Sequence, residues 1–131
     1  MSYIKDLMTN IADLIDALHL YSPVVYGSDP PDGGICLIQG SGFVSEKHLD
    51  TGILYRLPIL INAKNQSQET ALDALAAIHA ALVKTNAYES LSTSSAQVVN
   101  ITTTAGPTVI GREQNSQWIC GSSVEVSFYW R

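Results

Sequence analysis

Any chemistry in this sequence would have to come from three histidines, two cysteines, one glycine-rich loop and a scatter of carboxylates. His19, His48 and His79 lie far apart. His48 and Asp50 are close in sequence, but two ligands fall short of the three or four protein groups that hold a zinc ion. His79 sits on the apolar stripe of a helical segment, where a hydrogen-bonded core or interface histidine is expected rather than a base. Cys36 and Cys120 form no CxxC pair, and Cys36 has no Lys, Arg or His beside it to stabilise a thiolate. A buried, reduced pair is expected.

Gly40-Ser41-Gly42 after a strand has the start of a dinucleotide loop. Ser45 stands where the third glycine belongs, and no long helix follows to receive a pyrophosphate. The chain has no GxSxG elbow, and its carboxylates show no pairing suited to acid–base work. A Ser-His-Asp triad assembled from distant residues is the one catalytic arrangement left open. The reading is therefore no enzyme, with no catalytic, cofactor-binding or metal residue and no cofactor.

The elements that would position these residues follow from periodicity. Ile4, Leu7, Met8, Ile11, Leu14, Ile15 and Leu18 recur at helical spacing and predict an amphipathic helix over 3–20. Residues 27–34 are rich in Gly and Pro and read as a turn. Ile35–Gln39 is a short apolar strand, followed by a polar loop over 40–50. Residues 53–61 read as a strand with Ile53, Tyr55, Leu57, Ile59 and Ile61 on one face and Leu54, Arg56, Pro58 and Leu60 on the other. Both faces are largely apolar, so both are expected to be covered. Pro58 has no N–H for a ladder and predicts an edge or a bulge there.

A second helix is predicted over 66–85, capped by Asn65 or Ser67, with Glu69 in the favourable first turn. Leu72, Leu75, Ile78, His79 and Leu82 form its stripe, among many alanines. A Ser/Thr-rich loop covers 88–95. Residues 96–104 read as a strand that Gly106-Pro107 breaks, and 107–116 reads as a polar connection. Residues 117–131 alternate cleanly, with Trp118, Cys120, Val124, Val126, Phe128 and Trp130 on one face, as in a half-buried antiparallel strand. The order α-β-β-α-β-β predicts one α+β domain over 1–131. Its sheet is expected to be four-stranded and mostly antiparallel, with both helices packed on one face.

Whole-chain properties narrow the function. Of 131 residues, 46% are hydrophobic but only 15% are charged, against about a quarter charged in ordinary domains. That deficit points to surface covered by a partner. The net charge is −5, with 7 Lys plus Arg and no basic run, which argues against nucleic acid and against anionic membranes. No run is long enough to span a bilayer, and Met1–Asn10 lacks a signal-peptide pattern, so synthesis is expected to leave the chain in the cytoplasm. With helices on one sheet face, Leu54, Pro58 and Leu60 emerge on the other and form the expected interface, with the final strand beside them. Such a patch marks a protein contact, most simply with further copies of the same chain. The long polar connections offer charged contacts at Asp32, Glu46, Lys47, Asp50, Arg112 and Glu113.

The segment Tyr55-Arg-Leu-Pro-Ile-Leu-Ile-Asn-Ala-Lys-Asn-Gln-Ser-Gln-Glu-Thr-Ala-Leu-Asp-Ala-Leu75 resembles the small minor capsid, or tail-terminator, proteins of long-tailed bacteriophages. In that group a strand ends in an Asn-Ala-Lys-like turn before a Gln/Glu-rich helix start. Asn62, Lys64, Asn65 and Gln68 match the motif, as turn and cap residues. An amphipathic first helix and a terminal strand with alternating aromatics extend the likeness of order along nearly the whole chain. The resemblance implies a virion structural protein that forms a homo-oligomeric ring, typically hexameric. Such a ring stops tail-tube polymerisation and meets the head connector, so its partners would be itself, the tube and the connector. Its location would be the host cytoplasm during assembly and then the head–tail junction. An acidic ring would repel the DNA backbone during passage. Alternatives are a neighbouring head–tail connector or completion subunit, and a small-molecule- or peptide-binding α+β module.

Overall fold

The structure is a computed structural model that describes residues 2–26, 33–40, 42–48, 52–84, 88, 91–93, 96–113 and 116–130. Its elements run α1 (Ser2–Asp16), β1 (Val24–Tyr26), β2 (Ile35–Gln39), β3 (Phe43–His48), β4 (Gly52–Asn65), α2 (Gln68–Val83), β5 (Ala96–Arg112) and β6 (Trp118–Trp130).

Helix α1 buries Leu7, Met8, Ile11 and Ile15 and turns Lys5, Asp6, Asp13 and Asp16 to solvent, as its spacing predicts. It stops short of the predicted end: His19 adopts φ 54, a left-handed conformation that terminates the helix. The Asp16 carboxylate then accepts the Val24 N–H at 2.9 Å and holds β1 beside the helix. Helix α2 starts at a built cap. Ser67 Oγ accepts from Thr70 N–H at 3.2 Å, and Asn65 Oδ1 accepts from Ser67 N–H at 2.8 Å, so two donors at the helix start are satisfied.

The sheet has six strands among the described residues, not four. Its path is β1-β2-β4-β6-β5, with β3 also on β4; only β1–β2 is parallel. Both helices pack on one face, where Leu57, Ile59, Ile61 and Ala63 of β4 alternate into one core with Cys120, Val124, Val126 and Phe128 of β6. The mostly antiparallel sheet and the single helical layer match the sequence reading; the strand count does not.

Three of the missed stretches have a common cause. The predicted loop 40–50 contains β3, the predicted break at Gly106-Pro107 lies inside β5, and Asn62–Asn65 continue β4 instead of turning. In each case a neighbouring strand supplies hydrogen bonds that override weak local preference. β5 lies at the sheet edge, so Pro107 is tolerated there, and its ladder shifts register between Ala105 and Thr108 to pass it. β1 was also not foreseen; three residues carry too little pattern to register.

Pro58 does what its missing N–H requires, though by an unexpected route. β2 pairs with Ile59–Ala63 and β3 with Gly52–Arg56 on the same side of β4, running in one direction. They behave as one strand interrupted opposite Pro58. Gly40 N–H donates to Pro58 O at 2.8 Å, which places the proline nitrogen on that same side with no hydrogen to give. The ladder breaks there. A Cβ on Gly40 would meet Pro58 Cγ and O at 3.0 Å, so glycine permits the close approach.

Candidate assembly surface

The face of the sheet opposite the helices is built from the other half of each strand's alternation. Across β4 and β6 its rungs are Leu54–Tyr129, Arg56–Ser127, Pro58–Glu125, Leu60–Ser123, Asn62–Gly121 and Lys64–Ile119. Ile38 of β2 lies beside Leu60. Leu60 remains 45% exposed and Ile110 of β5 62%. No described helix covers this face. Its polar groups are largely paired with one another: Arg56 Nη1 lies 3.3 Å from Glu125 Oε1, and the Thr104 and Ser123 hydroxyls are 2.6 Å apart. What remains is an apolar patch with self-satisfied polar groups around it.

Ile110 reaches this face by lying over Gly121. A Cβ on Gly121 would stand 2.6 Å from Ile110 Cδ1 and 2.9 Å from Asn62 Oδ1. Glycine therefore makes the seat on which Ile110 rests, next to Asn62 and two residues along β4 from Leu60.

The residues expected at an interface fall into four groups. Leu54, Pro58 and Leu60 are brought together on the outer face, with Leu60 the exposed member. Arg112 and Glu113 are engaged within the chain: the Arg112 guanidinium sits 5.2 Å from the Trp118 ring centroid, and Glu113 pairs with Lys64 Nζ at 3.0 Å. Glu46 and Lys47 lie on β3, opposite Leu54 and Ile53 of β4, and their side chains are outside the described set. Asp32 and Asp50 lie outside the described residues altogether.

Sequence reasoning missed Ile110 because it assigned 107–116 to a polar connection. It also missed a groove between α1 and β1. This groove has a volume of about 420 Å³, and the described residues lining it are Lys5, Thr9, Ala12 and Tyr26. Lys5, Thr9 and Ala12 follow one another at helical spacing beside the buried stripe, and the small Ala12 leaves the space open. Val25 and Tyr26 are exposed at this edge. The 5-9-12 spacing was the available signal.

His79, the two cysteines and Tyr21 are held by burial and hydrogen bonds. His79 is 7% exposed, and its Nδ1 meets Thr103 Oγ1 at 2.9 Å, while Nε2 is buried with no hydrogen-bond partner among the described residues. Burial lowers its pKa from the ordinary value. Cys36 and Cys120 are both buried. They stand opposite Asn62 and Ala63, neighbouring residues of β4, so their side chains leave opposite faces of the sheet and cannot join. Burial also raises the Cys120 pKa, away from a reactive thiolate. Tyr21 donates its phenol proton between Gly34 O at 3.2 Å and Lys64 O at 2.9 Å, and burial pushes its pKa up to about 12. It ties the connection between α1 and β1 to the end of β4. Among the described residues no group of three His, Cys, Asp or Glu could hold a metal, and no helix is long and apolar enough to cross a membrane.

The motif residues are explained in the same terms. Lys64 and Asn65 fix the end of β4 and the entry to α2, and Asn62 borders the seat of Ile110.

Comparison with known proteins adds identity to this geometry. The family model described as bacteriophage tail terminator protein matches residues 6–130. No match is found among curated proteins. Among solved structures, a chain of the virion of a native gene transfer agent particle superposes with a TM-score of 0.58 at 18% identity, over 94% of this chain and 91% of the other. That likeness shows a shared fold. The family match spans nearly the full length, and the chain belongs to the bacteriophage tail terminator family, structural proteins of the phage tail.

Proposed function

We propose that this chain forms a homo-oligomeric ring, six subunits being the expected number, that caps the tail tube and joins it to the head connector. Assembly would take place in the host cytoplasm, and the ring would stay at the head–tail junction. The observation that carries the reading is the outer sheet face, which no described helix covers, in a chain of this family: Leu60 and Ile110 stand exposed there beside the half-buried Leu54 and Pro58. A patch of this kind calls for a protein partner, and a closed ring is the point-group solution for repeated head-to-tail contacts.

Termination then follows from shape. One ring face matches the last layer of the tube, and the other does not accept a further layer. The chain's net charge of −5 favours free passage of DNA, because an acidic lumen repels phosphate.

The test is electron microscopy of the purified chain added to polymerising tail-tube protein. Rings on tube ends and a narrowed tube-length distribution are expected. Tubes that grow to unchanged length, with no density at their tips, would overturn the reading.

A further inference from the structure

We propose that the ring contact is head-to-tail and specific: the outer-face patch around Ile110 and Leu60 of one copy seats in the α1–β1 groove of the next. This deepens the ring reading and rests on it.

The chain is one sheet with one helical layer, so its two sides differ. The outer side of the sheet offers an apolar projection, Ile110 propped on Gly121 with Leu60 two residues along the neighbouring strand. The helical side offers a concavity, the groove of about 420 Å³ floored by Ala12 and flanked by Tyr26. β1 and β5 are the opposite ends of the sheet path. Four inter-strand steps separate them, roughly 19 Å at the usual strand spacing. The projection of one copy therefore cannot fill its own groove, but a second copy placed alongside can bring the two together. A contact between two different patches is heterologous, the kind that propagates and closes into rings.

Charge favours this pairing over other faces. Copies of a chain with 12 acidic and 7 basic residues repel one another in general. Residues 96–111, which carry Ile110, contain no charged residue. Arg56 and Glu125 on the outer face neutralise each other. The groove's one charged lining residue among those described is Lys5, a cation in an acidic chain. The docked surfaces are thus where like-charge repulsion is least.

The edge of β5 is partly closed to an alternative, strand-to-strand contact. Val98 N–H donates to Ser92 Oγ at 2.9 Å and Ile101 N–H to Tyr88 Oη at 3.2 Å. Register shifts between Thr103 and Ala105, Ala105 and Thr108, and Val109 and Gly111 interrupt the rest of the strand. Capped donors and bulges guard an edge against pairing, which leaves the face, not the edge, as the contact.

Disulfide trapping tests this in the full chain. The native thiols are buried, and positions 12 and 110 of one copy lie on opposite sides of the sheet, so they do not bond to each other. The double variant Ala12→Cys, Ile110→Cys is oxidised and compared with each single variant and with Val83→Cys, Ile110→Cys, whose first site is an exposed residue of α2. The expected result is a ladder of covalent oligomers ending in a closed species, about tenfold above the Val83 control because docking raises the effective thiol concentration. Single variants stay monomeric. A ladder no stronger than the control, or single variants that form dimers as a symmetric contact would give, overturns the head-to-tail assignment. Sedimentation of the wild type separates the two claims: oligomers without a 12–110 bond overturn this contact and leave the ring standing, and monomers without that bond, even with tube protein, overturn both.

Discussion

Truncating Leu57 and Leu60 to alanine separates the two faces of β4 by energy. Leu57 is 0% exposed and opposes Val126 in the core. Its truncation removes transfer free energy and leaves a cavity between β4, β6 and the helices, a loss of about 3 kcal/mol. Leu60 is 45% exposed and opposes Ser123. A fully buried leucine contributes about 2 kcal/mol, so a little over half of that, about 1 kcal/mol, is at stake, and solvent fills the space. In a domain of this length roughly 4 °C accompanies each kcal/mol, so melting should fall by about 12 °C for Leu57→Ala and about 4 °C for Leu60→Ala. Urea unfolding of dilute protein, followed through Trp118 and Trp130 fluorescence, gives the same ranking in free energy if the m-values agree. The ranking should reverse when tube capping is scored, because Leu60 would be lost from the contact while Leu57 only supports the fold. Equal destabilisation by the two variants would refute the face assignment and the argument built on it.

His79 predicts a pH dependence. Burial lowers its pKa below the ordinary 6.5, so between those values the unfolded chain binds more protons and stability rises with pH. The contribution is complete above 6.5 and is lost as the pH falls through the folded value. Denaturant titrations at about pH 5 and about pH 7.5 should show a smaller difference for His79→Gln than for wild type; an identical difference would contradict the assignment. Ser67→Ala removes the cap on Thr70 N–H and should lower stability by about 1 kcal/mol, read as a drop in melting temperature. Cys36 and Cys120 should resist a thiol reagent in native buffer and both react in denaturant; prompt native labelling would show that a strand covering them opens.

The sequence by itself determined the elements whose signals are local and periodic. The α1 stripe through Leu7, Met8, Ile11 and Ile15, the Ser67 cap of α2 and the alternation of β6 were all legible, because a helix or a half-buried strand repeats its demand every few residues. Pro58 was legible as a place where a ladder must fail, since it has no N–H to give, but the expected edge or bulge is instead a gap between β2 and β3 on one side of an inner strand. The outer-face placement of Leu54, Pro58 and Leu60 followed from parity alone.

Tertiary structure decided what depends on a partner strand. Phe43–His48 became β3 because β4 extends past the break at Pro58 and offers an edge there. β5 continued through Gly106-Pro107 because it runs along β6 at the rim, where its outward side needs no donor. Arg112 and Glu113 looked like free loop charges until the sheet brought Trp118 and Lys64 beside them. Ile110 gained its place on Gly121 only after several register shifts along β5, and each one-residue shift exchanges the two faces. Pairing register is a non-local quantity, and this is why the projection and the groove proposed to join neighbouring subunits were both invisible to a reading along the chain.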